Sequence, residues 1–156
     1  MMKATILYAS MTGNDEEIAN ILISDFNQSG VATELKEIDE ADVKDFDASD
    51  ICIIVTYTYD DGDIPEEALD LYDDLDHYDL SNKIFGVCGS GDTCYGDFCM
   101  AVDKFEKRLL TTGAQKGADS VKIELYPEEE DKEKLMQFVQ SIVNSAQTML
   151  DKLQHN

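Results

Sequence analysis

Strand-like and helix-like patterns alternate along this chain from end to end, and the alternation limits the folds open to it. Residues 51–55 and 84–88 are continuous apolar runs, which is typical of strands buried on both faces. Amphipathic patterns separate the strands, and the clearest covers 135–153. This alternation predicts an α/β fold in which five parallel strands are covered by four long helices.

The strand patterns also differ in a way that predicts their order. Residues 31–36 and 121–125 alternate apolar with polar, as edge strands do, whereas 4–8, 51–55 and 84–88 are apolar almost throughout. This fits a three-layer α-β-α sandwich with a doubly wound, five-stranded parallel sheet of order 2-1-3-4-5. Such sheets bind ligands at the carboxyl ends of their strands, so we expect the loops after the first, third and fourth strands to be functional.

Length and composition set further bounds. The 156 residues predict a single domain, 1–156, with one core. No apolar run is long enough to cross a membrane and no targeting signal is evident, so we expect a cytoplasmic protein that does not bind membranes. The cysteines form no CxxC pair and have no histidines at metal spacing, which predicts reduced thiols, mostly in the core, and no metal site.

The charge is strongly negative. The formal net charge is −22, and the segment 45–82 holds thirteen Asp or Glu residues without one Lys or Arg. Such a field repels nucleic acid and favours a partner protein with a basic docking face. A solubilising or salt-adapted surface would have a similar composition, so charge alone does not establish a partner.

The loop after the first strand has the residues of a phosphate-binding turn. The segment 10–14 supplies Ser, Thr, Gly and Asn between a strand pattern and a helix pattern. Such a turn presents backbone N–H groups and hydroxyls at the positive end of a helix dipole. Residues 4–35 contain no Lys or Arg, so dipoles and hydroxyls would hold the phosphate. An ordinary capped helix would use similar residues.

The loops after the third and fourth strands each place a tyrosine at the predicted ligand edge. Tyr59 lies in the loop 56–65 and Tyr95 in the loop 89–99. The two rings are suited to stack on opposite faces of a flat ligand, although a tyrosine that only covers its own loop would have the same sequence position. A phosphate turn together with two aromatic walls predicts a flat, phosphorylated ligand.

These three motifs resemble the loops of the short-chain flavodoxins. They read Ser-x-Thr-Gly-Asn at 10–14, Thr-x-Thr-Tyr at 56–59 and Gly-Asp-x-x-Tyr-x-x-Phe-Cys at 91–99, and the match extends over essentially the whole chain. The resemblance implies a flavoprotein with non-covalently bound FMN that carries single electrons at low potential between flavin or iron–sulfur oxidoreductases. It also implies a monomer without catalytic residues of its own.

The resemblance further implies which residues bind FMN. Those around the 5′-phosphate would be Ser10, Met11, Thr12, Gly13, Asn14 and Asp15. Tyr59 and Tyr95 would flank the isoalloxazine ring. The polar edge of the ring would meet Thr58, Gly91, Asp92 and Cys99, and the same loops would add Thr56, Tyr57, Asp60, Asp61, Ser90 and Phe98.

Two positions depart from the family pattern. Asp15 stands where members usually have a hydroxyl residue; a carboxylate roughly 6 Å from a phosphate dianion would cost about 2 kcal/mol, so we expect Asp15 to turn outward. Asp60 stands where many members have glycine. In the family the peptide after the stacking aromatic turns over on reduction, and positive φ there costs Asp about 1 kcal/mol. We therefore expect a lowered first one-electron potential.

Three alternative functions are associated with chains of this topology. A flavodoxin-like quinone or flavin reductase usually carries extra loops or forms tetramers, and this chain shows no such insertion. A flavodoxin-like activator of a radical enzyme differs in its partner, so the sequence does not separate it from a carrier. A signalling receiver domain would need an acidic cluster after the first strand, an Asp ending the third and a Lys ending the fifth, where this chain has Ser10 and Thr12, Thr56 and Tyr126.

Overall fold

The computed structural model describes residues 2–9, 13–58, 62–92 and 99–155. The strands are β1 (Lys3–Tyr8), β2 (Ala32–Glu37), β3 (Ile51–Tyr57), β4 (Ile84–Gly91), β5 (Gln115–Lys116) and β6 (Val121–Glu124). The helices are α1 (Asn14–Gln28), α2 (Leu69–Asp74), α3 (Met100–Leu110) and α4 (Glu129–Gln154). Short 3-10 turns lie at Ile38–Glu40, Val43–Phe46 and Glu66–Ala68.

All the strands belong to one parallel sheet. Its order is β2-β1-β3-β4-β5, and β6 also pairs with β4. Ile6 lies opposite Ile53, and Ile53 lies opposite Gly86, so the three central strands are in continuous register. The predicted order 2-1-3-4-5 is confirmed, with the fifth position divided into two short pieces rather than one strand.

Alternate residues of the central strands enter two separate hydrophobic layers. Leu7, Ile54 and Phe85 pack on the side that includes α2 and α3, with Phe105 and Leu109 among their partners. The intervening residues Ile6, Ile53 and Ile84 pack on the opposite side, where α1 supplies Ile18, Leu22 and Phe26 and α4 supplies Leu135, Phe138 and Ile142. The period of two along each strand thus produces the two faces that the helices cover.

Burial follows the predicted distinction between edge and central strands. Residues 51–56 of β3 and 84–90 of β4 are all buried, whereas β2 alternates exposed and half-buried positions and β6 buries only Ile123. The central strands therefore need apolar residues on both faces, and the edge strands do not.

The helix predicted after the third strand is much shorter than expected. A 3-10 turn precedes α2, which spans only six residues. Its last turn carries Asp73 and Asp74 and no basic residue, so the charges oppose the negative end of the helix dipole. His77, which the sequence places in this helix, lies beyond its end with φ of 61°.

Other strand and helix boundaries also differ from those that the sequence predicts. The strands β3 and β4 extend further than their apolar runs, so Thr56, Tyr57, Ser90 and Gly91 belong to strands rather than to loops. The fifth strand ends at Glu124, since Leu125 has φ of 58°. The apolar stripe of α4 is buried from Leu135 to Ala146, but Leu153 is 44% exposed.

Well-paired hydrogen bonds close the amino edge of the sheet, where β1, β3 and β4 begin. The Lys3 N–H donates to Asp50 Oδ2 at 3.0 Å, and the Asp50 N–H donates back to the Lys3 carbonyl at 2.9 Å. The Lys83 ammonium donates to the carbonyl oxygens of Asp47 and Ser49 at 2.9 and 2.6 Å. Charged and backbone groups at this edge satisfy one another.

The described ranges contain neither a membrane-spanning helix nor a cluster of metal-binding side chains. None of their helices is long and apolar enough to cross a membrane. Those same ranges contain no group of three or more His, Cys, Asp or Glu side chains placed to hold a metal ion.

Candidate functional site at the carboxyl edge of the sheet

The carboxyl ends of β1, β3 and β4 meet at one edge, as the sheet order requires. The Ala9 N–H, just after β1, donates to the Val55 carbonyl of β3 at 2.9 Å. Two side-chain hydrogen bonds then join residues distant in sequence, Asp15 to Ser90 and Thr58 to Ala101. The three loops that the sequence marks as unusual therefore start from one contiguous surface.

Helix α1 begins at this edge. Gly13 precedes it with φ of 89°, and no side chain of the described residues caps the helix. A left-handed conformation favours glycine at that point. A Cβ built on Gly13 would meet no atom of the described residues within 4 Å, so the positive φ is the constraint at this position. Free N–H groups at such a helix end bind anions.

The expectation that Asp15 turns outward is wrong. Its side chain is 1% exposed, and Oδ1 accepts a hydrogen bond from the Ser90 N–H at 3.0 Å. Oδ2 is buried without a hydrogen-bond partner in the described part of the chain. The sequence argument considered only repulsion from a phosphate and omitted the backbone donor that β4 supplies.

Burial changes the acidity of this carboxyl. Desolvation raises the pKa of Asp15 to about 7, the negative charge of Glu67 adds to the rise, and the hydrogen bonds from Ser90 oppose it. Asp15 therefore titrates near neutral pH instead of being a permanent carboxylate.

Thr58 holds the second loop to the start of α3. Its Oγ1 accepts a hydrogen bond from the Ala101 N–H at 3.0 Å. Cys99, which directly precedes α3, makes no side-chain cap, so a hydroxyl from another loop satisfies a free N–H of this helix. The position of the second loop and the start of α3 are thereby linked.

The neighbouring hydroxyls of β3 are used within the protein. Thr56 is fully buried, and its Oγ1 donates to the Tyr57 carbonyl at 2.9 Å. The Tyr57 hydroxyl donates to both carboxylate oxygens of Glu67 at 3.2 Å. Their place in the site is therefore to shape the end of β3.

Gly89 allows β3 and β4 to approach closely at the site. A Cβ on this residue would lie 1.8 Å from the Thr56 carbonyl oxygen, so only glycine permits this spacing. The next residue, Ser90, is 4% exposed and presents its N–H to Asp15. Beyond it, the Gly91 carbonyl accepts from the Leu125 N–H at 2.8 Å, which ties the end of the fifth strand to this edge.

Two thiols lie beneath the site. Cys88 and Cys99 are both fully buried, and Cys99 has φ of 53°. Burial, the main cause, raises the pKa of Cys99 to about 12 and that of Cys88 well above its usual range. Together with the buried Cys52 they are free thiols, in agreement with the prediction of reduced core cysteines.

A cavity of about 300 Å³ adjoins the site on the β2 side. Its acidic lining residues are Glu37, Asp39 and Glu67. The Tyr8 hydroxyl donates to Glu37 at 3.2 Å, and burial followed by this hydrogen bond raises the pKa of Tyr8 to about 12. The surroundings of the site are thus strongly negative.

The structure describes only part of the predicted cofactor set. Those it brings to the carboxyl edge are Gly13, Asn14, Asp15, Thr56, Tyr57, Thr58, Ser90, Gly91, Asp92 and Cys99. Those that lie outside the described residues are Ser10, Met11, Thr12, Tyr59, Asp60, Asp61, Tyr95 and Phe98, and Cys94 lies outside them as well.

Sequence reasoning missed three contributors to the site. Gly89 and Ala101 contribute through their small size or their backbone, and the only signal in the sequence is a small residue beside a motif. Glu67 was noted as part of the acidic run, but its hydrogen bond to Tyr57 and its effect on Asp15 depend on the tertiary fold.

The described residues fit a phosphate ester of a flavin. The amino end of α1 offers N–H donors, and Asp15 holds a buried oxygen that lacks a partner among the described residues. We therefore expect residues 10–15 to hold the phosphate of FMN and the ends of β3 and β4 to meet its ring.

Comparisons with known proteins agree with this geometry. The flavodoxin family model matches residues 6–138. "Probable flavodoxin 2" of Bacillus subtilis is 40% identical over 144 residues, covering 88% of this chain and 92% of that protein. The structure of a short-chain flavodoxin associated with a non-canonical PDU bacterial microcompartment superposes with a TM-score of 0.92 at 46% identity, covering 94% of this chain and 99% of that one.

The fold extends to more distant structures. A Fusobacterium nucleatum flavodoxin bound to flavin mononucleotide shares the fold with a TM-score of 0.77 at 15% identity, covering 93% of this chain and 99% of that one. From the family match and the 40% identical relative, the chain belongs to the flavodoxin family, whose cofactor is FMN.

Proposed function

We propose that the protein is a low-potential, one-electron carrier that shuttles electrons between redox enzymes in the cytoplasm and has no substrate of its own. The observation that carries the proposal is the convergence of the ends of β1, β3 and β4, held by the Asp15–Ser90 and Thr58–Ala101 hydrogen bonds. Bound FMN supplies the redox chemistry, accepting and donating one electron at a time.

In this proposal the residues of the chain bind and orient the cofactor. The turn 10–15 and the amino end of α1 hold the phosphate, and Tyr59 and Tyr95 lie on the two faces of the ring. Thr58 fixes the second loop through Ala101, and Gly89 keeps β3 and β4 close below the ring. Rigid placement of this kind limits the rearrangement that accompanies electron transfer.

The acidic surface has two roles in the proposal. The acidic residues closest to Tyr59 in sequence disfavour added negative charge on the reduced flavin; they are Asp60, Asp61, Asp63, Glu66 and Glu67. A carboxylate about 10 Å from that charge, at an effective dielectric near 50, contributes roughly 0.7 kcal/mol. The same charges dock a monomeric carrier on the basic face of a partner, so raising the ionic strength should slow electron delivery and raise the second potential.

The test is stepwise anaerobic reduction of the purified protein, reconstituted with FMN and followed by its visible spectrum. A carrier should bind FMN tightly and reduce in two resolved one-electron steps. A parallel assay with NAD(P)H and quinone should show no steady-state turnover.

Each other outcome overturns the proposal in a defined way. Reduction in a single two-electron step together with quinone turnover would favour the reductase alternative. Electron delivery to a radical enzyme and to none of the other redox enzymes tested would favour the activator. Failure to bind FMN would mean that the turn 10–15 has been misassigned.

A further inference from the structure

The buried carboxyl of Asp15 is the one feature of the site that the expected phosphate turn does not explain. The side chain is 1% exposed, lies in the first turn of the 15-residue helix α1, and has a buried Oδ2 with no partner among the described residues. Its other oxygen, Oδ1, is anchored to the Ser90 N–H of β4. The carboxyl is therefore hydrogen-bonded through one oxygen and unsatisfied at the other, in the helix turn that directly follows the expected phosphate loop.

The groups that face Asp15 do not supply a compensating positive charge. From β4 the Ser90 N–H donates to it, and the Cys88 thiol of β4 and the Cys99 thiol at the start of α3 lie close enough that, besides burial, the charge of Asp15 raises their pKa values. The 3-10 turn before α2 contributes the carboxylate of Glu67. Its own helix adds Glu16 and Glu17 in the first turn, and residues 4–35 contain no Lys or Arg.

An ionised Asp15 and a phosphate dianion in this setting would repel each other. A protonated Asp15 would instead offer an Oδ2–H donor at the point where other members usually have a hydroxyl residue. The proton turns an unsatisfied acceptor into a donor and removes the repulsion. One added proton thus resolves both the missing partner and the charge conflict.

We propose that Asp15 binds the FMN phosphate as a neutral carboxylic acid whose Oδ2–H donates to a phosphate oxygen, so that cofactor binding takes up a proton from solvent. The inference rests on the proposed function only in that the cofactor is FMN. The balance is simple: Asp15–COO⁻ and one solvent proton give Asp15–COOH in the complex, and no bond of the cofactor is made or broken.

The sign of the pH dependence follows from this balance. The pKa of Asp15 in the free protein is about 7, and the nearby phosphate raises it further in the complex. Above pH 7 Asp15 must be protonated before FMN binds. The dissociation constant for FMN should therefore increase with pH, and the increase should approach tenfold for each pH unit. The phosphate is a dianion throughout this range because its second pKa is about 6.

The experiment measures the FMN dissociation constant of the apoprotein from pH 7 to pH 9 by quenching of flavin fluorescence. We expect a rise of about 50-fold for the natural chain. D15N, which keeps a neutral donor at every pH, should change by less than about threefold. D25N is the matched control, because Asp25 lies on the same helix with a raised pKa and a buried Oδ2 without a described partner; it should behave like the natural chain.

A second measurement does not depend on any variant. Calorimetric titration of the natural apoprotein with FMN at pH 8, in buffers of different ionisation enthalpy, should report uptake of about one proton per FMN. Riboflavin, which lacks the phosphate, should give little uptake and an affinity that barely changes with pH. If D15N does not fold, D15T supplies a hydroxyl donor for the same comparison.

Several results would overturn the inference. A flat pH profile for the natural chain would mean that Asp15 is ionised or has moved away in the complex. If the dissociation constant of D15N depends on pH as steeply as that of the natural chain, the proton is taken up by another group. If riboflavin shows the same pH dependence as FMN, the proton is not taken up in response to the phosphate. Tight but pH-independent FMN binding would leave the electron-carrier proposal intact, whereas no FMN binding at any pH would end both.

Discussion

The two edges of the sheet contrast in how their polar groups are satisfied. At the amino edge Lys3, Asp50 and Lys83 pair with one another's backbone or with neighbouring carbonyls, at distances of 2.6 to 3.0 Å. At the carboxyl edge Asp15 buries an oxygen without a described partner, and Glu67 adds a negative charge nearby. Both edges are built from the same strands, yet the charged groups named at the amino edge are hydrogen-bonded, whereas Asp15 Oδ2 at the carboxyl edge has no partner among the described residues.

The contrast indicates which edge of the sheet is suited to bind a ligand. A satisfied edge gains nothing from a ligand, whereas an edge with open helix N–H groups and an unpaired carboxyl gains stability when a ligand completes its hydrogen bonds. The amino edge should therefore govern folding alone. The carboxyl edge should govern both folding and cofactor affinity.

The largest expected effect comes from Asp15. Its folded pKa of about 7 lies above the ordinary value of 3.8, so its favourable contribution is complete at low pH and is lost as the pH rises through 7. Between pH 4 and pH 8 this removes about 4 kcal/mol from the stability of the apoprotein. D15N should not show this loss of stability when its urea unfolding is measured from pH 4 to pH 8. Parallel pH profiles for both proteins would contradict the assignment.

A change at the amino edge should separate folding from binding. Lys83→Met removes the ammonium donor to the Asp47 and Ser49 carbonyls and should cost about 2 kcal/mol, since hydrogen bonds to charged groups contribute about 1.5–3 kcal/mol. FMN affinity should stay within about twofold. Urea unfolding of the apoprotein and a flavin titration test both parts, and a large loss of affinity would break the contrast between the edges.

The link between Thr58 and Ala101 should have a smaller effect. Thr58→Val removes the acceptor for the Ala101 N–H and should destabilise the apoprotein by about 1 kcal/mol, as expected for the loss of a helix cap. Thr58→Ser keeps the hydroxyl and is the matched control. Equal stability of the Val and Ser variants, measured by urea unfolding, would show that the cap contributes nothing.

The smallest shift is expected at Asp60, which lies outside the described residues. If the reduced protein requires positive φ there, Asp60→Gly removes a cost of about 1 kcal/mol. The first one-electron potential should then rise by about 40 mV. Spectroelectrochemical titration measures this potential directly. An unchanged first potential would show that backbone strain at Asp60 does not affect it.

The sequence predicted the architecture well because its signals are local. Continuous apolar runs and alternating runs report burial of a strand directly, and they suffice for the order 2-1-3-4-5. The length of α2 was overestimated because apolar spacing does not reveal that Asp73 and Asp74 weaken the end of the helix. The division of the fifth strand into β5 and β6 has no signal in residue spacing.

The site was predictable as far as its motifs and no further. The motifs correctly placed Gly13, Thr58 and Gly91 at the carboxyl edge of the sheet, because loops after parallel strands share that edge. The direction of Asp15 was wrong, since its donor Ser90 is 75 residues away and is a backbone group that any residue would supply. Long-range pairings of this kind depend on register, which a single sequence does not state.

The buried thiols beneath the site can report when the structure around them opens. Cys52, Cys88 and Cys99 are each fully buried, so a thiol reagent reaches them only when the surrounding layer opens. Since Cys88 and Cys99 lie near the carboxyl edge of the sheet and Cys52 does not, mapping the labelled cysteine by mass spectrometry would separate local opening at that edge from opening of the whole domain. The natural sequence thus carries probes for both events without any added label site.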